Sequence, residues 1–192
     1  MVFGSGAAQE MHRRWFESHL DKFNVEYKNR SDEFHGISIA GPNSRKVLEK
    51  IVRDDVSNEK FRFRDSRRMF VGGVPAIINR ISFTGELGYE IYVAPHFQIK
   101  LYEELMEAGE EFGIKPYGIR AMTSLRDEKS YKLVGTELSI EYSPYESGLD
   151  RFIHPNKGDF IGRAALDKWR AKGFSNKLVT MEIHGVTCLL YT

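Results

Sequence analysis

Residues 81–93 read Ile81-Ser82-Phe83-Thr84-Gly85-Glu86-Leu87-Gly88-Tyr89-Glu90-Ile91-Tyr92-Val93, ISFTGELGYEIYV. A Thr-Gly-Glu-x-Gly turn separates two β-prone runs, which is the signature of a hairpin. The second run places a carboxylate between two tyrosines. Side chains alternate along a strand, so Tyr89, Ile91 and Val93 share one face while Glu90 and Tyr92 share the other. Glu90 is then either a solvated residue on an outer face or a carboxylate that meets a ligand, and the pattern alone leaves both open.

Outward from this stretch the order of elements sets the fold class. From Arg68 onward, β-branched and aromatic residues alternate with polar ones, and Gly72-Gly73 adds a second break, so residues 68–93 predict three strands in an antiparallel meander. Ile37 and Ile39 predict an earlier strand. The following GPNSRKVLEKIV predicts a Gly-Pro turn, a cap at Asn43 or Ser44, and a short helix burying Val47, Leu48, Ile51 and Val52. Met11, Trp15, Phe16, Leu20 and Phe23 recur at helical spacing over 8–23 and predict an amphipathic helix. A further helix is expected over 95–112, with Phe97, Leu101, Leu105 and Met106 on one face and Gly113 as its stop.

Strand, helix, hairpins and helix in that order give an α+β fold, with a split-βαβ, ferredoxin-like unit and an antiparallel sheet. Residues 1–115 are expected to form this α+β half. Residues 116–174 are expected to be its helical and irregular remainder, with helices over 118–131 and 161–171 and an irregular stretch over 136–149. Residues 175–192 carry a strand-like KLVTMEIHGV at 177–186 and are expected to be the first strand of a C-terminal barrel. Both ends begin or stop on apolar runs that would want a partner, so the fold is expected to be incomplete at both ends.

Composition narrows the function classes. The chain has 192 residues, enough to bury roughly 70% of its unfolded surface. It is 41% apolar and 29% charged with a net charge of +1, which predicts no nucleic acid or membrane partner. Arg62-Phe63-Arg64 and Arg67-Arg68 remain as local clusters for a small anion. A single cysteine, Cys188, excludes an internal disulfide framework and a multi-cysteine metal site. No apolar run approaches the roughly 20 residues of a membrane span, and the first residues lack the charged and apolar regions of a secretion signal. Six histidines at 12, 19, 35, 96, 154 and 184 form no paired-ligand spacing, so no metal site is expected. No Gly-x-Ser-x-Gly is present, and no catalytic residue is assigned. The glycines of VGGVPA and TGELG lack the strand-to-helix context of a phosphate loop. Aromatics make up 12% of the chain and are expected on core-facing stripes. Glu90 is what remains.

RISFTGELGYEIYV, then YGIRAMTSLRDEKSY, then SPYESGLDRFIHPNKGDFIGRAAL resemble the tetrahydrofolate-binding module of the aminomethyltransferase family. That family includes the glycine-cleavage T-protein and the C-terminal folate half of dimethylglycine and sarcosine dehydrogenases. The resemblance runs from GSGAAQEMHRRWFESHL to LVTMEIHGV, with the motifs in order and a lean toward the flavin-linked dehydrogenases. It implies that Glu90 is the carboxylate that anchors the pterin ring, since two carboxylate oxygens match the N3–H and 2-amino donors of a pterin. It implies a ligand contact at Phe83, where relatives place a tyrosine. Arg120, two residues before the position of a folate-binding arginine that is Met122 here, becomes the candidate for the glutamate carboxylates. Tyr89 completes the expected set.

By the same resemblance the chemistry is one-carbon transfer to tetrahydrofolate, giving 5,10-methylenetetrahydrofolate from the carbon released by oxidative demethylation of dimethylglycine or sarcosine. FAD is expected in a parent protein, in an upstream flavin domain, because this chain has no Gly-x-Gly-x-x-Gly unit. The T-protein alternative replaces the flavin domain with a lipoyl carrier protein. The T-protein's catalytic aspartate precedes the GSG segment and has no counterpart here. A bacterial cytoplasm or the mitochondrial matrix is the implied compartment. Two positions depart from the family pattern: Asp127 stands where an apolar residue is usual, and Ser130 where a glycine is. A non-enzymatic folate-binding relative is the rival reading, but its Lys-Gly-Cys-Tyr-x-Gly-Gln-Glu motif appears here as Lys157-Gly158-Asp159-Phe160-Ile161-Gly162-Arg163-Ala164, without the cysteine. A remnant that binds no ligand is the third.

Overall fold

Gly72 and Gly73 hold φ angles of 55° and 76°, closing a two-residue turn that sets Val71 opposite Val74. Only glycine adopts two such angles in succession at no cost, and this turn matches the right-handed twist of the strands it joins. It belongs to a computed structural model that describes residues 1–182, 184 and 185. From the turn, β2 (Ser66–Val71) and β3 (Val74–Asn79) run antiparallel, and β4 (Gly88–Val93) pairs antiparallel with β3. β1 (His35–Ala40) adds to the other side of β4, giving the order β1-β4-β3-β2. The α+β class with an antiparallel sheet is as expected. Within it, two strands rather than one separate the ends of the β1–helix–β2 unit, because β3 and β4 both lie between them.

The chain divides into two compact units, one of residues 1–82 and 86–116, the other of 83–85 and 117–192. In the first, α2 (Ser44–Ile51) and α3 (Gln98–Gly109) pack on each other, α2 against β4 and α3 against β1. Their apolar stripes meet the inward residues of the strands in a core of Ile39, Leu48, Ile78, Tyr89, Ile91 and Leu101. Gly113, at φ 69°, ends the last turn after α3, as expected of a left-handed C-terminal glycine. α1 (Gln9–Leu20) forms, but it buries none of its residues; Met11 and Trp15 stay more than half exposed. Its apolar stripe therefore does not belong to this core. The expectation that the aromatics line core stripes also fails at Phe63 and Phe70, which are exposed.

β3 stops at Asn79, four residues before the strand expected to reach Phe83. Arg80 causes the break. Its backbone exchanges hydrogen bonds with Arg64 N and Asp65 O at 2.9 Å each, and its guanidinium donates to Phe61 O (2.5 Å) and Asn58 Oδ1 (2.6 Å). Those bonds take the chain out of the ladder, and Ile81 N donates back to Asn79 O at 3.0 Å. The return begins at Gly88, where an added Cβ would lie 2.6 Å from Ser82 Cβ and 2.8 Å from the Ile39 carbonyl oxygen. A backbone oxygen cannot step aside as a flexible side chain can. Gly88→Ala is therefore expected to lower stability by about 1–3 kcal/mol, the usual cost of overpacking, read as a reduced urea midpoint; an unchanged midpoint would show that β1 and β4 yield there.

In the second unit, α4 (Ile119–Glu128) and α5 (Arg163–Lys172) are the α-helices among the described residues; α4 falls within the helix expected over 118–131, and α5 begins two residues later and ends one residue later than the expected 161–171. Ser130 follows α4 with φ 57°, a left-handed angle that costs a residue with a Cβ about 1–2 kcal/mol relative to the ordinary region and explains why glycine suits the position. Residues 177–182 join no ladder among the described residues, although Leu178 N donates to Glu146 O at 2.8 Å. The remainder of the expected terminal strand lies partly, and Cys188 wholly, outside the described residues.

Candidate functional site

β4 carries the site because alternation gives it two unlike faces. Tyr89, Ile91 and Val93 are fully buried in the core, whereas Glu90 and Tyr92 are half-buried on the opposite face. The register sets Ser38 of β1 on one side of Glu90 and Asn79 of β3 on the other. Tyr92 has Gly36 and Ile77 as its cross-strand neighbours. Directly opposed residues in a sheet share a face, so these side chains form one patch.

Tyr92 is fixed from below and from the side. The missing side chain of Gly36 makes room for its ring, since a Cβ there would lie 3.0 Å from Tyr92 Cε1. Phe3 packs against the ring with centroids 4.6 Å apart. So placed, the Tyr92 hydroxyl donates to Glu90 Oε2 at 2.7 Å. Burial raises the Tyr92 pKa above the ordinary phenol value, and the hydrogen bond to Glu90 and the charge of its carboxylate raise it further. The phenol therefore stays protonated and remains a donor across the physiological range.

Glu90 thus presents a carboxylate oriented by one neutral donor. Among the described residues no cation pairs with it. A carboxylate has about four lone-pair sites and Tyr92 occupies one, which leaves room for two further N–H donors. Beside it, Asn79 is only 9% exposed and its Oδ1 has no hydrogen-bond partner among the described residues.

Of the other expected site residues, Tyr89 shares β4 with Glu90, and Phe83 and Arg120 are described within their own unit. Tyr89 does not join Glu90: it is wholly buried on the core face, stacked on Phe61 at 5.8 Å, with its hydroxyl accepting from Arg45 Nε at 3.2 Å. Its place is structural because strand alternation turns it away from Glu90. Phe83 and Arg120 belong to the second unit. Phe83 is 36% exposed and precedes the buried Thr84; Arg120 is exposed in the first turn of α4. The basic cluster near residues 62–68 is partly spent internally, with Arg67 over the Phe61 ring at 5.2 Å and 3.8 Å from Asp65. Among the described residues no three metal-ligating side chains gather, and no helix is long and apolar enough to cross a membrane.

Sequence reasoning passed over Arg126. This arginine of the SLR element is 4% exposed and donates to the Tyr131 carbonyl and to both Glu137 oxygens, at 3.1 and 3.3 Å. It also lies 2.7 Å from Asp127 Oδ1. Asp127 is half-exposed and paired, so a charge in place of an apolar residue carries little desolvation cost. Burial disfavours the charged form of Glu137, but donation from the Thr136 hydroxyl and the Leu133 N–H, with the Arg126 charge, outweighs it and holds the carboxyl at about 2.

Comparison with known proteins adds the family. The family described as the GCVT N-terminal domain matches residues 1–157. Human mitochondrial dimethylglycine dehydrogenase is 40% identical over 187 residues, covering 95% of this chain and 21% of that protein. Its rat counterpart is 38% identical over the same length. An aminomethyltransferase of Thermoanaerobacter pseudethanolicus is 36% identical over 171 residues, 88% of this chain and 46% of that one. Among solved structures, a heterotetrameric sarcosine oxidase from Corynebacterium sp. U-96, in complex with pyrrole 2-carboxylate, overlaps with a TM-score of 0.47 at 18% identity, over 61% of this chain and 56% of that one. The chain spans about a fifth of the length of these dimethylglycine dehydrogenases and under half of the aminomethyltransferase.

Proposed function

The chain belongs to the GCVT N-terminal domain family, and on that premise we propose that it is the tetrahydrofolate-binding part of a one-carbon transfer enzyme, with Glu90 as the pterin anchor. The supporting observation is the Glu90 carboxylate itself, on a central strand, oriented by Tyr92 and with no cation partner among the described residues. Such a carboxylate suits a neutral ligand edge that presents adjacent N–H donors. The N3–H and 2-amino group of a pterin are such an edge, and charge-assisted hydrogen bonds to them are about twice as strong as neutral ones.

When bound, tetrahydrofolate supplies the nitrogens that take up the one-carbon unit, giving 5,10-methylenetetrahydrofolate. The protein's part is to hold the pterin in one orientation, which raises the effective concentration of its reacting nitrogens. Tyr92 contributes by keeping the carboxylate from rotating. Phe83 and Arg120 are proposed, on the motif alone, as a ring contact and a contact for the folate's glutamate carboxylates. We place the source of carbon in a parent protein that oxidatively demethylates dimethylglycine or sarcosine with FAD in an upstream domain. The 40% identity to a dimethylglycine dehydrogenase supports that choice. The aminomethyltransferase likeness supports a second donor, an aminomethyl group on a lipoyl carrier protein. The compartment would be the mitochondrial matrix or a bacterial cytoplasm, as the relatives' sources suggest.

The direct test is calorimetric titration of the purified chain with 5-methyltetrahydrofolate. Saturable binding of one equivalent is the expected result, and the absence of any binding heat at several temperatures would overturn the proposal.

A further inference from the structure

We infer that Asn79 is a second reader of the ligand's donor edge, taking with its side-chain amide the 2-amino hydrogen that Glu90 leaves unpaired; the inference rests on the folate reading above. Its basis is an unusual pair of facts about a strand end. Asn79 is the last residue of β3 and is opposed to Glu90 across the ladder, so the two side chains rise on the same face. At 9% exposure it is nearly as buried as Ile77 at 6%, yet its Oδ1 has no partner among the described residues.

Burying an amide oxygen without a donor is costly, and native proteins almost always supply a partner. No neighbour does so here: Ser66, opposed to Asn79 on β2, is exposed and makes no bond to its Oδ1 among the described residues. Glu90 is itself an acceptor, and the nearest hydroxyl on β4, that of Tyr92, already donates to Glu90. Two acceptors side by side, one charged and one neutral, call for a ligand edge with three N–H hydrogens in a row. A 2-aminopyrimidinone ring carries that set: one on the ring nitrogen and two on the amino group. Glu90 takes the ring hydrogen and the nearer amino hydrogen, and Asn79 takes the farther one. A ligand without the amino group would satisfy Glu90 in part and leave Asn79 unpaired, so the asparagine is a specificity residue for 2-amino pterins over analogues substituted there.

A structural and a ligand-reading role predict opposite stability changes. Asn79→Leu replaces an orphaned amide with an apolar group of similar size, which removes a desolvation cost. It is therefore expected to raise the Tm of the free chain while weakening 5-methyltetrahydrofolate about tenfold, the loss of one buried hydrogen bond. Asn79→Ala is expected to show the same loss of affinity. An analogue with a methyl group in place of the 2-amino group should bind wild type and both variants equally.

Wild-type affinity in both variants, equal weakening toward both ligands, or failure of both variants to fold would each overturn the role of Asn79. If Glu90→Gln loses binding and the Asn79 variants do not, the folate reading stands without this inference. If the wild type binds no folate, both fall together.

Discussion

Glu90→Gln is expected to leave the fold intact and to weaken 5-methyltetrahydrofolate binding about 100-fold. The side chain is half-buried on the face away from the core and has no cation partner among the described residues, so neutralising it strands no charge. Tyr92 can still donate to the glutamine carbonyl in place of Glu90 Oε2. What changes is the edge offered to the ligand: one carboxylate oxygen becomes an NH2, which opposes an N–H donor instead of accepting from it. Each hydrogen bond to a charged group contributes about 1.5–3 kcal/mol. Losing the charge on one and reversing the polarity of the other costs about 3 kcal/mol, or two orders of magnitude in Kd. Calorimetry with a thermal melt on the same sample checks both halves. Affinity equal to wild type would remove Glu90 from the ligand altogether.

Arg126→Met is expected to cost about 3–5 kcal/mol of stability, the range for breaking a buried ion pair from one side. Arg126 ties the end of α4 to the loop at Tyr131 and to Glu137, and without it Glu137 is left part-buried with only its neutral donors. Glu137 also sets an acid response, against the cost of its burial, through the Thr136 hydroxyl and backbone N–H donors first and the Arg126 charge last. Glu137 has a folded pKa of about 2, below its ordinary value of 4.5, so its contribution is complete above about 4.5 and is lost as the pH falls through about 2. Wild type should lose stability across that window. Glu137→Gln should start lower and follow a flatter profile there. Trp169, on α5 in the same unit, gives an emission signal for the transition once Trp15 is replaced by phenylalanine. A melting profile for Arg126→Met that coincides with wild type would show that the pair does not hold the second unit.

Where the chain's own periodicity decides, the sequence was enough. The alternation in GYEIYV put Glu90 and Tyr92 together against Tyr89, Ile91 and Val93, and burial follows that division. The helix spacing of Val47 and Leu48, and of Leu101 and Leu105, likewise found the buried faces of α2 and α3. Pairing between distant segments was not legible. Asn79 could not be seen as the neighbour of Glu90, because the register depends on where β3 stops, and that is set by Arg80 turning to Phe61 and Asn58. Arg126 gave no signal of its own, since nothing local distinguishes an arginine that meets Glu137 from one that meets water. Tyr89 was attached to the site by adjacency to Glu90, where strand geometry sends neighbours to opposite sides.

β4 is bonded on both flanks, and this bears on the anchoring role proposed for Glu90. An anchor on a mobile loop must be frozen at each encounter, and the entropy lost is subtracted from the affinity. Set between two neighbouring strands, this one is preorganised. Under the proposed role, a ligand would meet a rigid template, and discrimination would rest on whether its hydrogens already fit.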